Sequence, residues 1–149
     1  MHQESRERSP AEIYAGLFGV VLVAAGIMGF FYSSDFAGPG EVDAILGILD
    51  VNGWHNVVHI ATGALGLLAF AGGYDYARKY ALGLGAVYIA IAAWGFIIGS
   101  GESILGFIPI NTEDNFLHLL IGIAGIGAGL ATPAIERPTT AASNPPATA

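Results

Sequence analysis

Four long apolar stretches, almost free of formal charge, limit what this chain can become. They run from about Ile13 to Tyr32, Trp54 to Ala71, Tyr80 to Ile98 and Asn115 to Thr132. Each lies near the roughly 20 residues that a helix needs to cross a bilayer core. In lipid, an open-ended segment satisfies its backbone only as a helix. The chain therefore reads as all-α: an integral membrane bundle of four helices. Charged residues make up only 11% of the 149 positions, where a soluble domain carries about a quarter. They collect at the ends and in the short gaps between stretches. Residues 1–11 read as an N-terminal tail and 12–132 as the transmembrane domain. Residues 133–149, rich in Pro, Ala, Thr and Ser, read as a disordered tail. Ser9-Pro10-Ala11-Glu12 supplies a helix start, with Ser at the N-cap, Pro next and Glu in the first turn.

All five basic residues fall on one side of a four-span arrangement: Arg6, Arg8, Arg78, Lys79 and Arg137. The opposite side holds Asp35, Glu41, Asp43, Asp50, Glu102, Glu113 and Asp114 and no Lys or Arg. This asymmetry predicts a multi-pass protein of the cell membrane with both termini cytoplasmic. The lipid bilayer is the expected partner, with a homo-oligomer or larger membrane complex as further candidates. No basic run is present to follow nucleic acid, and the N-terminus lacks the pattern of a cleavable signal peptide. With no cysteine, disulfides, thiolate metal sites and thiol nucleophiles are excluded.

Laid on itself, the chain shows a tandem repeat, with one copy over about 12–71 and the other over about 78–132. Ile45 to Gly66 match Ile104 to Gly125 without gaps. Asn52, Asn56, His59, Gly63 and Gly66 meet Asn111, Asn115, His118, Gly122 and Gly125. Tyr14, Gly19, Val21 and Gly29 of the first stretch likewise meet Tyr80, Gly85, Val87 and Gly95 of the third. Two same-sense copies of a two-helix unit predict a pseudo-twofold axis along the membrane normal.

Helical spacing puts His59, Gly63 and Gly66 on one stripe, and His118, Gly122, Gly125 and Gly129 on another. Glycine stripes let helices approach closely where lipid offers no hydrophobic driving force. The second and fourth spans are therefore expected to meet near the centre, with His59 and His118 at similar depth. The short apolar runs Ile45 to Leu49 and Ile104 to Ile108 are too short to span and read as interfacial or re-entrant segments. Asn52 and Asn111 would cap the following turn or bond back to these loops.

The doubled set Ile-Leu-Gly, Asn52/Asn111, Asn56/Asn115, His59/His118 and Gly63/Gly122 resembles the bacterial membrane-protein family called domain of unknown function 4383. The resemblance covers roughly 12 to 132. It implies a four-span protein of the cell membrane and no particular activity. One departure is His55 in the first copy, where the second has Asp114.

Two histidines at matching depth invite a ligand reading: axial ligation of a haem iron, or two imidazoles on a divalent metal. Asn56 and Asn115, one turn earlier, would then orient ring nitrogens. His55 and His59 are spaced as a two-histidine metal grip on one helix face. Against this stands the reading with no cofactor. A polar residue inside a bundle must be hydrogen-bonded, and His with Asn across a helix pair achieves that. On that reading His55 is a solvated interfacial residue. No Ser-His-Asp spacing, phosphate-binding glycine loop or carboxylate pair within a span supports catalysis. The residues thus favour a non-catalytic structural or assembly role. Haem or metal binding with electron transfer, and a small transporter or channel subunit, are the alternatives.

Overall fold

The computed structural model describes residues 7–36 and 42–134. The expected tails beyond these limits, and Arg6, Glu41 and Arg137, lie outside the described residues. The element order is α1 Pro10–Gly29, β1 Asp43–Ile45, β2 Leu49–Val51, α2 Gly53–Gly72, α3 Tyr74–Ile98, β3 Glu102–Ile104, β4 Ile108–Ile110 and α4 Thr112–Leu130. Helix–hairpin–helix thus occurs twice. Ser9 caps α1 in a full capping box with Glu12. Gly73, at φ 86°, makes the whole joint between α2 and α3. Helices α1, α2 and α3 are long and apolar enough to cross a membrane. By the same measure α4 falls short, because it opens on Thr112, Glu113, Asp114 and Asn115.

The apolar runs between helices fold as antiparallel β-hairpins. β1 pairs with β2 and β3 with β4. Leu46 (φ 55°) with Gly47 (φ 71°), and Leu105 (φ 54°) with Gly106 (φ 78°), put two successive left-handed residues at each tip. That conformation matches the twist of a tight hairpin and reverses the chain at once. Ile48 N–H donates to Ile45 C=O at 3.0 Å, and Phe107 N–H to Ile104 C=O at 3.2 Å, closing the turns.

Helix packing also differs from the expectation that the second and fourth spans meet through their glycines. α1 packs mainly on α2 and α3 on α4, while the backbones of α2 and α4 stay apart on a diagonal. A methyl on Gly63 would strike the backbone of Val23 and Gly19, and one on Gly122 would strike Gly85 and Ile89. Gly66 and Gly125 instead receive the phenols of Tyr80 and Tyr14. Gly63 and Gly122 therefore face the partner helix within each hairpin unit, while Gly66 and Gly125 also admit a phenol from the other unit. Tyr14 Oη donates to Ile121 C=O and Tyr80 Oη to Thr62 C=O, both at 3.1 Å, stitching one unit to the other. At the opposite end from the hairpins, Thr132 Oγ1 accepts from Ala11 N–H at 3.0 Å, and its carbonyl accepts from Arg78 Nε at 2.8 Å.

Candidate metal centre

The two hairpins lie side by side over one end of the bundle, held by Asn52 and Asn111. Asn52 Oδ1 accepts from His55 N–H at 2.9 Å and so caps α2; Asn111 Oδ1 accepts from Asp114 N–H at 2.9 Å and caps α4. Their amide nitrogens cross over. Asn52 Nδ2 donates to Phe107 C=O and Asn111 Nδ2 to Ile48 C=O, each at 2.7 Å. Each helix cap thus grips the tip of the other unit's hairpin.

Asn56 and Asn115 do not turn toward the imidazoles. Asn56 Nδ2 donates to Ser33 C=O at 2.8 Å, and its Oδ1 lies where a methyl on Gly29 would be. Asn115 Oδ1 occupies the same place against Gly95. Neither Oδ1 has a conventional hydrogen-bond partner, so each carboxamide oxygen rests on a glycine backbone. Cα–H···O contacts of this kind recur at close helix crossings.

His55 is buried, only 3% exposed, rather than solvated at the interface. The hairpin folds over it, and its Nδ1 lies 2.8 Å from Asp50 C=O. A carbonyl only accepts, so Nδ1 carries the proton and Nε2 keeps its lone pair. Asp114, at the equivalent position of the other unit, holds the same residue from the far side. Its Oδ2 accepts from Asp50 N–H at 3.1 Å and from Asn111 N–H at 3.3 Å. The departure between the two copies therefore gives one unit a third histidine and the other a carboxylate.

Beneath the hairpins, His55 and His59 of α2 meet His118 of α4 across the diagonal. The ring centroids are 4.4 Å apart for His55–His59, 6.1 Å for His55–His118 and 6.2 Å for His59–His118. One ring nitrogen from each can be chosen so that all lie within 4.8 Å of one another. Ligands of a tetrahedral ion with bonds near 2.0–2.1 Å sit about 3.4 Å apart, so the nitrogens would have to draw together by up to about 1.4 Å to share one ion. His118 is buried and its Nδ1 lacks a hydrogen-bond partner. Leaving such a nitrogen bare costs about 1–3 kcal/mol.

Tyr88 of α3 lies outside the Asn/His/Gly motif. It is 3% exposed, packs edge-on against His118 at 4.9 Å, and buries its hydroxyl in the bundle. The available signal was its place in the repeat: it aligns with Leu22, an apolar residue. The three histidines and Tyr88 border a cavity of about 120 Å³, walled by Phe18, Leu22, Ala25, Leu49 and Ile121 among others. They also border a second of about 40 Å³ against the β3–β4 hairpin. Pockets that take drug-sized ligands occupy roughly 300–1,000 Å³, so these spaces suit an ion and a very small ligand rather than a haem.

No curated protein and no solved structure matches the chain. A family model described as Domain of unknown function (DUF4383) matches residues 12–131, and the chain belongs to that family.

Proposed function

We propose that this chain is a four-span membrane protein that binds one divalent transition-metal ion through His55, His59 and His118. The observation that carries the reading is the convergence of three imidazole nitrogens within 4.8 Å, one of them on a buried ring with an unpartnered nitrogen. Imidazole donors suit zinc, copper, iron and nickel. Three protein ligands leave a coordination position open. Asp50 C=O would act as the outer partner that fixes the tautomer and direction of the His55 ring. The role is binding, and no catalytic step is assigned to it.

The membrane part of the reading rests on three apolar helices and on the one-sided basic residues. The fourth span is α4, whose apolar portion follows its polar first turn. Paired contacts in the two units support the pseudo-twofold relation: the crossed Asn bonds and the crossed Tyr bonds. The hairpins then lie on the outer side and the metal just beneath them.

Metal analysis and cobalt(II) titration of protein purified in mild detergent test the proposal. The expected result is one equivalent of metal and visible ligand-field bands. Each of His55→Ala, His59→Ala and His118→Ala should weaken affinity by at least about 100-fold, more than loss of an outer-shell partner. A metal-free protein that takes up no cobalt, and whose variants only melt earlier, would return the three rings to a purely structural role.

A further inference from the structure

The one-residue joint at Gly73 makes α2 and α3 neighbours in sequence, yet each packs far more closely on its partner within its own unit. Between them, at the end of the bundle away from the hairpins, runs a groove of about 510 Å³. Leu65, Leu68 and Ala69 of α2 and Tyr76, Lys79 and Tyr80 of α3 line it. Its α2 wall, from Leu65 to Gly72, is about 10 Å long at 1.5 Å per residue. Leu65 and Leu68 are well exposed along that wall, so the groove opens sideways, toward lipid in a membrane. The Tyr80 ring is fixed as the opposite wall by its bond to Thr62 C=O.

One charge stands on this apolar groove. Lys79 shares a face of α3 with Tyr76, three residues earlier, and its ammonium lies 5.8 Å from the Tyr76 ring centroid. The other described basic residues are engaged, Arg8 with Glu12 at 3.6 Å and Arg78 with the Thr132 carbonyl at 2.8 Å. Among the described residues no carboxylate is paired with Lys79. The other unit does not repeat the feature. With Tyr14 matching Tyr80, α1 carries Pro10 and Ile13 where α3 has Tyr76 and Lys79. Likewise α4 carries Ala124 and Gly127 where α2 has Leu65 and Leu68. The packing of the repeat therefore does not call for the lysine or for the long apolar side chains beside it.

We propose that this groove seats an acyl chain of one anionic phospholipid with its phosphate on Lys79, an inference that rests on the membrane reading and not on the metal. Carbon walls open to the bilayer suit an acyl chain, which leaves one apolar surface for another at little cost. A phosphate supplies the counter-charge that Lys79 lacks. Basic pockets between spans on the cytoplasmic side bind such headgroups, and this end of the bundle carries Arg8, Arg78 and Lys79. A zwitterionic lipid brings its own cation to the lysine and is held less well. Tyr76, on the same face of α3, offers a phenol at the depth where such rings meet headgroups.

The test uses protein reconstituted in vesicles of equal phosphatidylglycerol and phosphatidylcholine with the same acyl chains. After transfer to mild detergent, retained lipid is read by native mass spectrometry. One retained phosphatidylglycerol per protein is expected, favoured about fivefold over phosphatidylcholine, the ratio that one lysine at a membrane surface supplies. Lys79→Gln should bring that ratio close to unity, and Lys79→Arg should keep it. Leu68→Trp, which puts a ring into the groove from an exposed position, should lose retained lipid of both kinds. Lys79→Gln changes an exposed residue, so its arm stands if Leu68→Trp does not fold. Equal retention of the two lipids, or an unchanged ratio in Lys79→Gln, would overturn the proposal and leave the membrane reading standing. A protein dimer that holds no lipid and is dissociated by Leu68→Trp would overturn it too, giving the groove to a second copy of the chain. Release of the protein from its membranes by alkaline carbonate would overturn the membrane reading itself.

Discussion

At the scale of single residues, small and polar side chains do the shaping. Gly29 and Gly95 are required because Asn56 and Asn115 rest directly on them. Gly29→Ala and Gly95→Ala should each destabilise the protein by about 1–3 kcal/mol, the usual cost of overpacking. Gly83 is the control, since nothing lies within contact distance of an added methyl there. Gly83→Ala should be neutral or slightly stabilising, as expected for Gly inside a helix. Thermal melts in one detergent check all three. Asp50 offers a pH readout. Burial raises its carboxyl above the ordinary value, opposed by a hydrogen bond from Asn111 and reinforced by the charge of Glu113. The folded state therefore holds the proton more tightly than the unfolded chain. The resulting stabilisation is complete below the unfolded value near 3.9 and is lost as pH rises through the folded one. Asp50→Asn should thus gain stability over the parent between about pH 3 and pH 7. The side chain is partly exposed, so the gain will be small. A melting difference that is flat or opposite in sign across that range would refute it.

At the scale of elements, the hairpins organise the site. Leu46 and Leu105 adopt left-handed backbone at the hairpin tips, a conformation that costs a residue with a Cβ roughly 1–2 kcal/mol. Leu46→Gly should relieve that strain and stabilise the detergent-solubilised protein by about 1 kcal/mol, as chemical denaturation would show. The crossed bonds of Asn52 and Asn111 join the two tips as one unit. Asn52→Ala and Asn111→Ala should each cost about 1–2 kcal/mol, because each loses both a helix cap and a buried amide bond. The double variant should be clearly non-additive, since both residues serve one shared contact. Strict additivity in the double-mutant cycle would mean that the hairpins fold independently.

At the scale of the whole molecule, the proposed orientation predicts a topology. The natural chain has no cysteine, so single cysteines can be introduced without background. Ser103→Cys on the β3–β4 hairpin should react with an impermeant thiol reagent from outside intact cells. Lys79→Cys, on the side of the basic residues, should be protected. The reverse pattern would invert the proposed orientation.

The chain's own pattern was enough for the broad outcome. Long uncharged apolar runs have few ways to satisfy their backbones in lipid, which made helices legible. Ser9 and Glu12 announced the first helix start, and a doubled Asn/His/Gly set marked family membership. The hairpins were hidden because a five-residue apolar run has no period long enough to separate strand from interfacial segment. The direction of the glycine stripes was hidden too. Helical spacing says which residues share a face, but not which neighbour that face meets. Only tertiary packing decided that the glycines close each helix pair, leaving α2 and α4 on a diagonal that their histidines bridge. It also buried His55 by folding the β1–β2 hairpin, which directly precedes it, back over the ring. Three imidazoles brought together from two helices, one of them met by the Asp50 carbonyl of β2, depend on interhelix distances that no local sequence pattern encodes.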